Sequence, residues 1–172
     1  MTARARASRE RTWSATAAKA VSTVELGRIL GEAAPDGAVI LLEGPLGAGK
    51  TTLAQGVALG CGVQEPVTSP TYNLVLHYRG RRLFTHVDLY RLAEPADLTT
   101  LDVDEIAAAD GVTCIEWPGL VRGEVAPPYA EIVIERVVAT SGVEHRRLSG
   151  RFVGSGWSPA LEALSSAGAE VT

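Results

Sequence analysis

Residues 38–52 read Ala38-Val39-Ile40-Leu41-Leu42-Glu43, then Gly44-Pro45-Leu46-Gly47-Ala48-Gly49-Lys50-Thr51, then Thr52. The first six form an almost wholly apolar run bounded by turn residues, the pattern of a strand buried on both faces of a parallel sheet. The next eight match G-x-x-x-x-G-K-[ST] in full, and helical sequence follows until Gly60 and Gly62 stop it near Leu59. Gly47 and Gly49 let the backbone turn consecutive N–H groups toward phosphate oxygens with no Cβ in the way. The helix N-terminus adds partial positive charge, Lys50 a mobile cation for β- and γ-phosphates, and Thr51 a hydroxyl placed to ligate magnesium. The alternative is a chance glycine turn at a strand-to-helix corner. It is disfavoured by the correct flanking elements and by lysine usage, because Lys19 and Lys50 are the only lysines in a chain that otherwise uses arginine.

Outward from this stretch the other elements follow. Upstream, Ser22 and Glu25 form an S-x-x-E capping box for a helix carrying Leu26, Ile29, Leu30 and Ala33, stopped by Pro35-Asp36-Gly37. Downstream, Tyr72–Tyr78 and Leu83–Val87 predict a hairpin around Arg79-Gly80-Arg81-Arg82, and Glu94–Ala109 one or two short acidic helices. Val112–Ile115 predicts a buried strand ending at Glu116. Ala130–Val138 and Glu144–Val153 predict a second hairpin across Thr140-Ser141-Gly142, and Pro159–Ala167 a last helix. The expected fold is α/β: a three-layer P-loop NTPase fold whose sheet is mostly parallel with antiparallel additions. Residues 1–18 are expected to be a basic, disordered arm, residues 19–155 the P-loop ATPase domain, and residues 156–172 a C-terminal helix and tail.

Composition narrows the function. With 172 residues, 46% hydrophobic and 21% charged, the chain is expected to form one globular domain. No apolar stretch approaches the roughly 20 residues of a membrane span. The net charge of −4 argues against holding nucleic acid through the protein's overall field. Arg4, Arg6, Arg9 and Arg11 make the N-terminal arm locally basic, but without the apolar region of a secretory signal. Cys61 and Cys114 are too few for a disulfide framework and lack metal-ligand spacing, which points to a reduced, cytoplasmic setting.

A nucleotide site of this kind needs an acidic residue at the end of a neighbouring strand. Asp88 ends Leu83-Phe84-Thr85-His86-Val87, and Glu116 ends Val112-Thr113-Cys114-Ile115. Either could instead be an ordinary strand-end acid facing water. Guanine selectivity normally uses N-K-x-D, which is absent, so ATP is the expected nucleotide. A small-molecule kinase remains an alternative, with Arg79, Arg81 and Arg82 or Arg146, Arg147 and Arg151 as lid arginines; the plainer reading makes these exposed surface cations. A third alternative is a nucleotide-dependent binding switch. His86 reads as a strand histidine satisfied by hydrogen bonding rather than a catalytic base.

Further motifs follow in order: Val67-Thr68-Ser69-Pro70-Thr71-Tyr72-Asn73-Leu74-Val75, His86-Val87-Asp88-Leu89-Tyr90-Arg91-Leu92 and Ile115-Glu116-Trp117-Pro118. Together with the glycine loop they resemble the TsaE (YjeE) family, the small bacterial ATPases of tRNA threonylcarbamoylation, over about Val21 to Gly142. The resemblance implies ATP hydrolysis with Mg2+, action with TsaB and TsaD, contact with tRNA only through that complex, and no membrane. TsaD carries the transfer chemistry onto the adenosine beside the anticodon of tRNAs reading codons that begin with A. By position, Leu46, Gly47, Ala48, Gly49, Lys50 and Thr51 would bind phosphates, with Thr52 beside them among the nucleotide-contacting residues. Thr51 and Glu116 would hold magnesium. Asp88, in a second switch-like segment, would act on the water or the metal shell; with Lys50 and Glu116 it makes up the expected catalytic set. Ser69 and Thr71 would belong to a first switch-like segment, and Trp117 would flank the site.

Overall fold

The protein is described here by a computed structural model that covers residues 10–70, 72–92 and 110–172. These build a single eight-stranded sheet. In chain order its strands are β1 (Arg11–Ala17), β2 (Ala38–Glu43), β3 (Val75–Arg79), β4 (Leu83–Asp88), β5 (Gly111–Glu116), β6 (Tyr129–Val138), β7 (Glu144–Val153) and β8 (Glu170–Val171). The described helices are α1 (Ala20–Ala33), α2 (Lys50–Gly60) and α3 (Ser158–Ser166), and a 3-10 turn spans Pro118–Leu120. Across the sheet the order is β3-β4-β5-β2-β6-β7-β1-β8.

The centre is parallel, β2 pairing with β5 and β6, and β4 with β5. The flanks are antiparallel: β3 on β4, β7 on β6, and β1 between β7 and β8. The sheet is therefore mixed rather than mostly parallel, because both predicted hairpins add their outer strands beside the parallel centre and β1 extends one flank. The burial of β2 on both faces has a direct cause. Ala38, Ile40 and Leu42 join the core formed with α1, α2 and α3, while Val39 and Leu41 pack with Val87, Leu89, Ile115 and Val121 on the opposite face. All the described α-helices lie on the first face. The helices predicted over Glu94–Ala109, on which a third layer would depend, lie outside the described residues.

Two expectations near the N-terminus are corrected. Residues 11–17 of the presumed arm form β1, held by a full antiparallel ladder to β7, with Trp13 and Ala17 buried in the core. The capping box does not form. The chain leaves β1 and enters α1 at Ala20, so Ser22 and Glu25 already lie inside the helix, and Glu25 is engaged by Arg28.

Helix α2 is fixed against α1 by glycines spaced four apart on both helices. A Cβ at Gly31 would overlap the carbonyl oxygen of Val57, and one at Gly27 that of Leu53. From the other side, Gly56 and Gly60 lie as close to Val24 and Arg28. Backbone therefore meets backbone along this seam, which sets the position of α2 and of the loop at its N-terminus. The β3–β4 hairpin ties in at the far end of both helices. Arg81 donates to Gly60 O at 2.9 Å, and Arg82 to Gly31 O, Ala34 O and Pro35 O at 3.2, 2.8 and 3.0 Å. These are the carbonyls a helix C-terminus leaves without intrahelical donors, or their neighbours.

Candidate nucleotide and cation site

Strands β2, β4 and β5 end side by side, and the loop after β2 curls over their ends into α2. Gly44, Gly47 and Gly49 have φ of 147°, 74° and 110°, values that side-chain-bearing residues rarely adopt. A Cβ at Gly47 or Gly49 would meet nothing within 4 Å, so the loop borders open space there. Helix α2 starts at Lys50 with no side-chain cap, so the first N–H groups of the helix have neither an intrahelical acceptor nor a capping side chain.

The cavity is about 320 Å³. Its lining includes Leu46, Gly47, Gly49, Lys50, Thr51, Thr52, Ser69, Asp88, Glu116 and Trp117 from the sequence expectation, with Tyr90 added. Ala48 stands behind the loop, fully buried, and Thr71 lies outside the described residues. Lys50 is 4% exposed. Its Nζ donates to Gly44 O at 2.7 Å and Pro45 O at 2.9 Å, and sits 3.9 Å from the centre of the Trp117 ring. Burial pushes the Lys50 ammonium below the ordinary lysine range, an effect opposed by the negative charges of Glu116 and Asp88. An ammonium has three donors, so two are used by the loop's own carbonyls and one is left for a ligand.

The carboxylates are paired across the β4–β5 ladder, Asp88 opposite Glu116. They are 5% and 3% exposed. Thr51 Oγ1 donates to Glu116 Oε1 at 2.8 Å, which brings the helix hydroxyl and the strand carboxylate to one point. Asp88 accepts from Ser69 Oγ and from the Tyr90 N–H, both at 2.9 Å, so it joins the chain before β3 to the chain after β4. Trp117 is held with φ of 58°, its N–H donating to Leu42 O at 3.2 Å, and this left-handed turn carries its ring over Lys50. Tyr90 packs beside it, ring centres 4.9 Å apart.

Three residues escaped the sequence expectation or were given another role. His86, set aside there, places Nε2 2.9 Å from Glu116 Oε1. Tyr90 lines the cavity two residues after Asp88. Arg146 of β7 donates to Ala48 O at 2.8 Å, bracing the loop from behind, and it lines a second recess of about 160 Å³ with Lys19, Thr23, Gly47, Gly49 and Thr52. Only His86 carried a local signal, the two-residue spacing that puts it on the same strand face as Asp88. Three of the lid arginines of the kinase alternative are engaged elsewhere. Arg81 and Arg82 hold helix ends, and Arg151 pairs with Glu131 and Glu10.

Thr51 and Glu116 are hard oxygen donors converging beside a phosphate-type loop, the set that suits magnesium, which usually takes one or two protein oxygens and completes its shell with phosphate and water. Among the described residues no group of three or more His, Cys, Asp and Glu side chains gathers as an all-protein metal cage. No helix among them is long and apolar enough to cross a membrane.

The family model for the threonylcarbamoyl adenosine biosynthesis protein TsaE matches residues 17–147. This chain belongs to the TsaE family. The Treponema pallidum TsaE is 39% identical over 125 residues, covering 73% of this chain and 92% of the relative. The Nostoc TsaE is 42% identical over 131 residues, covering 73% and 76%. The Bacillus subtilis TsaE is 33% identical over 144 residues, covering 83% and 87%. A crystal structure of Bacillus subtilis YdiB superposes with a TM-score of 0.74 at 27% identity, over 91% of this chain and 95% of that one. The TsaE match begins at Ala17, the last residue of β1, and takes in the glycine loop, both strand-end carboxylates and Arg146.

Proposed function

We propose that this TsaE-family chain is a Mg2+-dependent ATPase acting in the cytoplasm with TsaB and TsaD in tRNA threonylcarbamoyladenosine biosynthesis, meeting tRNA only through that assembly. The observation that carries the reading is the convergence of Lys50 Nζ, Thr51 Oγ1 and Glu116 Oε1 on one cavity at the N-terminus of α2. The names of the relatives support the pathway.

In this reading the N–H groups of the loop and of the first turn of α2 receive the phosphate oxygens, and the remaining Lys50 donor reaches the terminal phosphates. Thr51 and Glu116 would hold the cation, which when bound would supply positive charge against the negative charge of the phosphates. Asp88, tethered by Ser69 and Tyr90, orients the attacking water or the cation's own water shell. The recess beside Arg146 shares Gly47, Gly49 and Thr52 with the cavity and gives the nucleoside end room to leave the loop. The kinase alternative finds no support in the cavity, since among the described residues no arginine lines it.

Calorimetry with ATP in the presence and absence of Mg2+, combined with phosphate release, tests the proposal. The wild-type chain is expected to bind Mg-ATP and to hydrolyse it slowly, faster once TsaB and TsaD are added. Lys50→Ala removes a charge-assisted contact worth about 1.5–3 kcal/mol, so affinity falls at least tenfold. Glu116→Gln is expected to bind nucleotide but to lose most of the gain that Mg2+ brings. Unchanged binding by Lys50→Ala would overturn the assignment.

A further inference from the structure

We infer that His86 is a positioning residue for Glu116, the carboxylate that holds the cation in the reading above, on which this inference rests. His86 is fully buried in β4, and the register sets it opposite Cys114 rather than Glu116. Its ring therefore reaches along the strands to bring Nε2 2.9 Å from Glu116 Oε1. The same oxygen accepts the Thr51 hydroxyl at 2.8 Å. Two donors from two different elements, β4 and α2, thus meet on one carboxylate oxygen supplied by β5.

The other ring nitrogen, Nδ1, is buried and has no hydrogen-bond partner among the described residues. That selects a tautomer. With its hydrogen on Nε2, the ring donates to the carboxylate and leaves a bare acceptor at Nδ1. With the hydrogen on Nδ1, two lone pairs would face each other at Nε2 and a buried N–H would have no acceptor, the costlier outcome. A leucine would fill this core position without an orphaned nitrogen. A buried polar group left half-satisfied is the kind of local conflict found where function sets the residue.

The consequence is geometric. With the lone pairs of the Thr51 oxygen given to a cation, its hydrogen bond to Glu116 would persist only if that carboxylate keeps its rotation. His86 fixes that rotation from β4. Without the Nε2 donor the carboxylate turns more freely and the Thr51 hydroxyl loses its fixed acceptor, so cation affinity falls while the loop and Lys50 continue to hold phosphate. Outer partners of metal ligands typically contribute 10- to 100-fold in metal affinity.

The test compares wild type, His86→Leu and His86→Gln, because the Gln amide nitrogen reaches the place of Nε2. ADP affinity is measured by calorimetry across a Mg2+ titration and in EDTA, with thermal melts for folding and 1H–15N spectra of the metal-free wild type. His86→Leu is expected to need 10- to 100-fold more Mg2+ for the same gain in affinity, with wild-type affinity in EDTA. His86→Gln is expected to recover most of the loss, and the wild-type spectra to show the Nε2–H tautomer. A wild-type Mg2+ dependence in His86→Leu overturns the inference, as does a His86→Gln as impaired as the leucine variant or an Nδ1–H tautomer. If His86→Leu does not fold, the glutamine variant and the spectra decide. A wild type without Mg2+-dependent nucleotide binding sinks the parent reading itself, whereas a failure confined to the variants leaves that reading standing.

Discussion

Lys50 and Cys61 illustrate how burial decides what a single side chain can do. Lys50 is held inside the cavity by two carbonyls and the face of Trp117, so it is pre-aimed before any ligand arrives. Cys61 is at the other extreme. Burial pushes its thiol up to about 11, against a smaller opposing pull from Arg82 and Arg81, and Cys114 is pushed up well beyond the usual thiol range. The folded protein binds the Cys61 proton more tightly than the unfolded chain, whose thiol titrates near 8.5. The associated stability is therefore fully present below about pH 8.5 and is lost as pH rises through about 11. Urea midpoints measured from pH 8 to 11 are expected to fall less steeply in Cys61→Ala than in wild type. Iodoacetamide at pH 8 is expected to label neither cysteine until the protein is unfolded.

At the scale of elements, the α1–α2 seam is the most sensitive contact because it places the loop. Gly31→Ala would drive a methyl group into the Val57 carbonyl, forcing the helices apart at a cost of about 1–3 kcal/mol or more. Since α2 carries Lys50 and Thr51, the melting temperature and the Mg-ATP affinity are expected to fall together, although Gly31 lines no part of the cavity. Arg82 makes a second, independent link, from the β3–β4 hairpin to the end of α1. Arg82→Met leaves the Gly31, Ala34 and Pro35 carbonyls without that donor and is expected to cost about 1–3 kcal/mol in urea unfolding. Nucleotide affinity should be nearly unchanged, because this link lies at the far end of the helix from the loop.

For the molecule as a whole, legibility in sequence follows the distance between cause and effect along the chain. The strand, loop and helix of residues 38–59 were readable because every residue that shapes them is contiguous. Asp88 and Glu116 were readable as strand ends, and the structure sets them opposite each other. By contrast β1 was hidden, since Arg11–Ala17 offers one large apolar residue among Ser, Thr and Ala, and its partner β7 lies far along the chain. His86 read only as a strand histidine satisfied by hydrogen bonding, because the partner that satisfies it, Glu116, is 30 residues away. Arg81 and Arg82 looked like free cations for the same reason, since the helix ends they hold come from earlier in the chain. The four-residue glycine spacing was visible, but its meaning required knowing that α1 and α2 face each other.

Strands β1 and β8 lie side by side, and Thr12 and Thr172 exchange backbone hydrogen bonds of 2.9 Å in both directions. The two ends of the described fold thus meet on one flank, away from the strand ends that carry the carboxylates. A circularly permuted chain, in which β8 ran on into β1 through a short splice and new termini opened at the exposed Thr140-Ser141-Gly142 turn, would keep every rung of the sheet. The glycine loop, His86 and both carboxylates would remain on one uncut stretch, so the order in which the chain is threaded is separable from the site it builds.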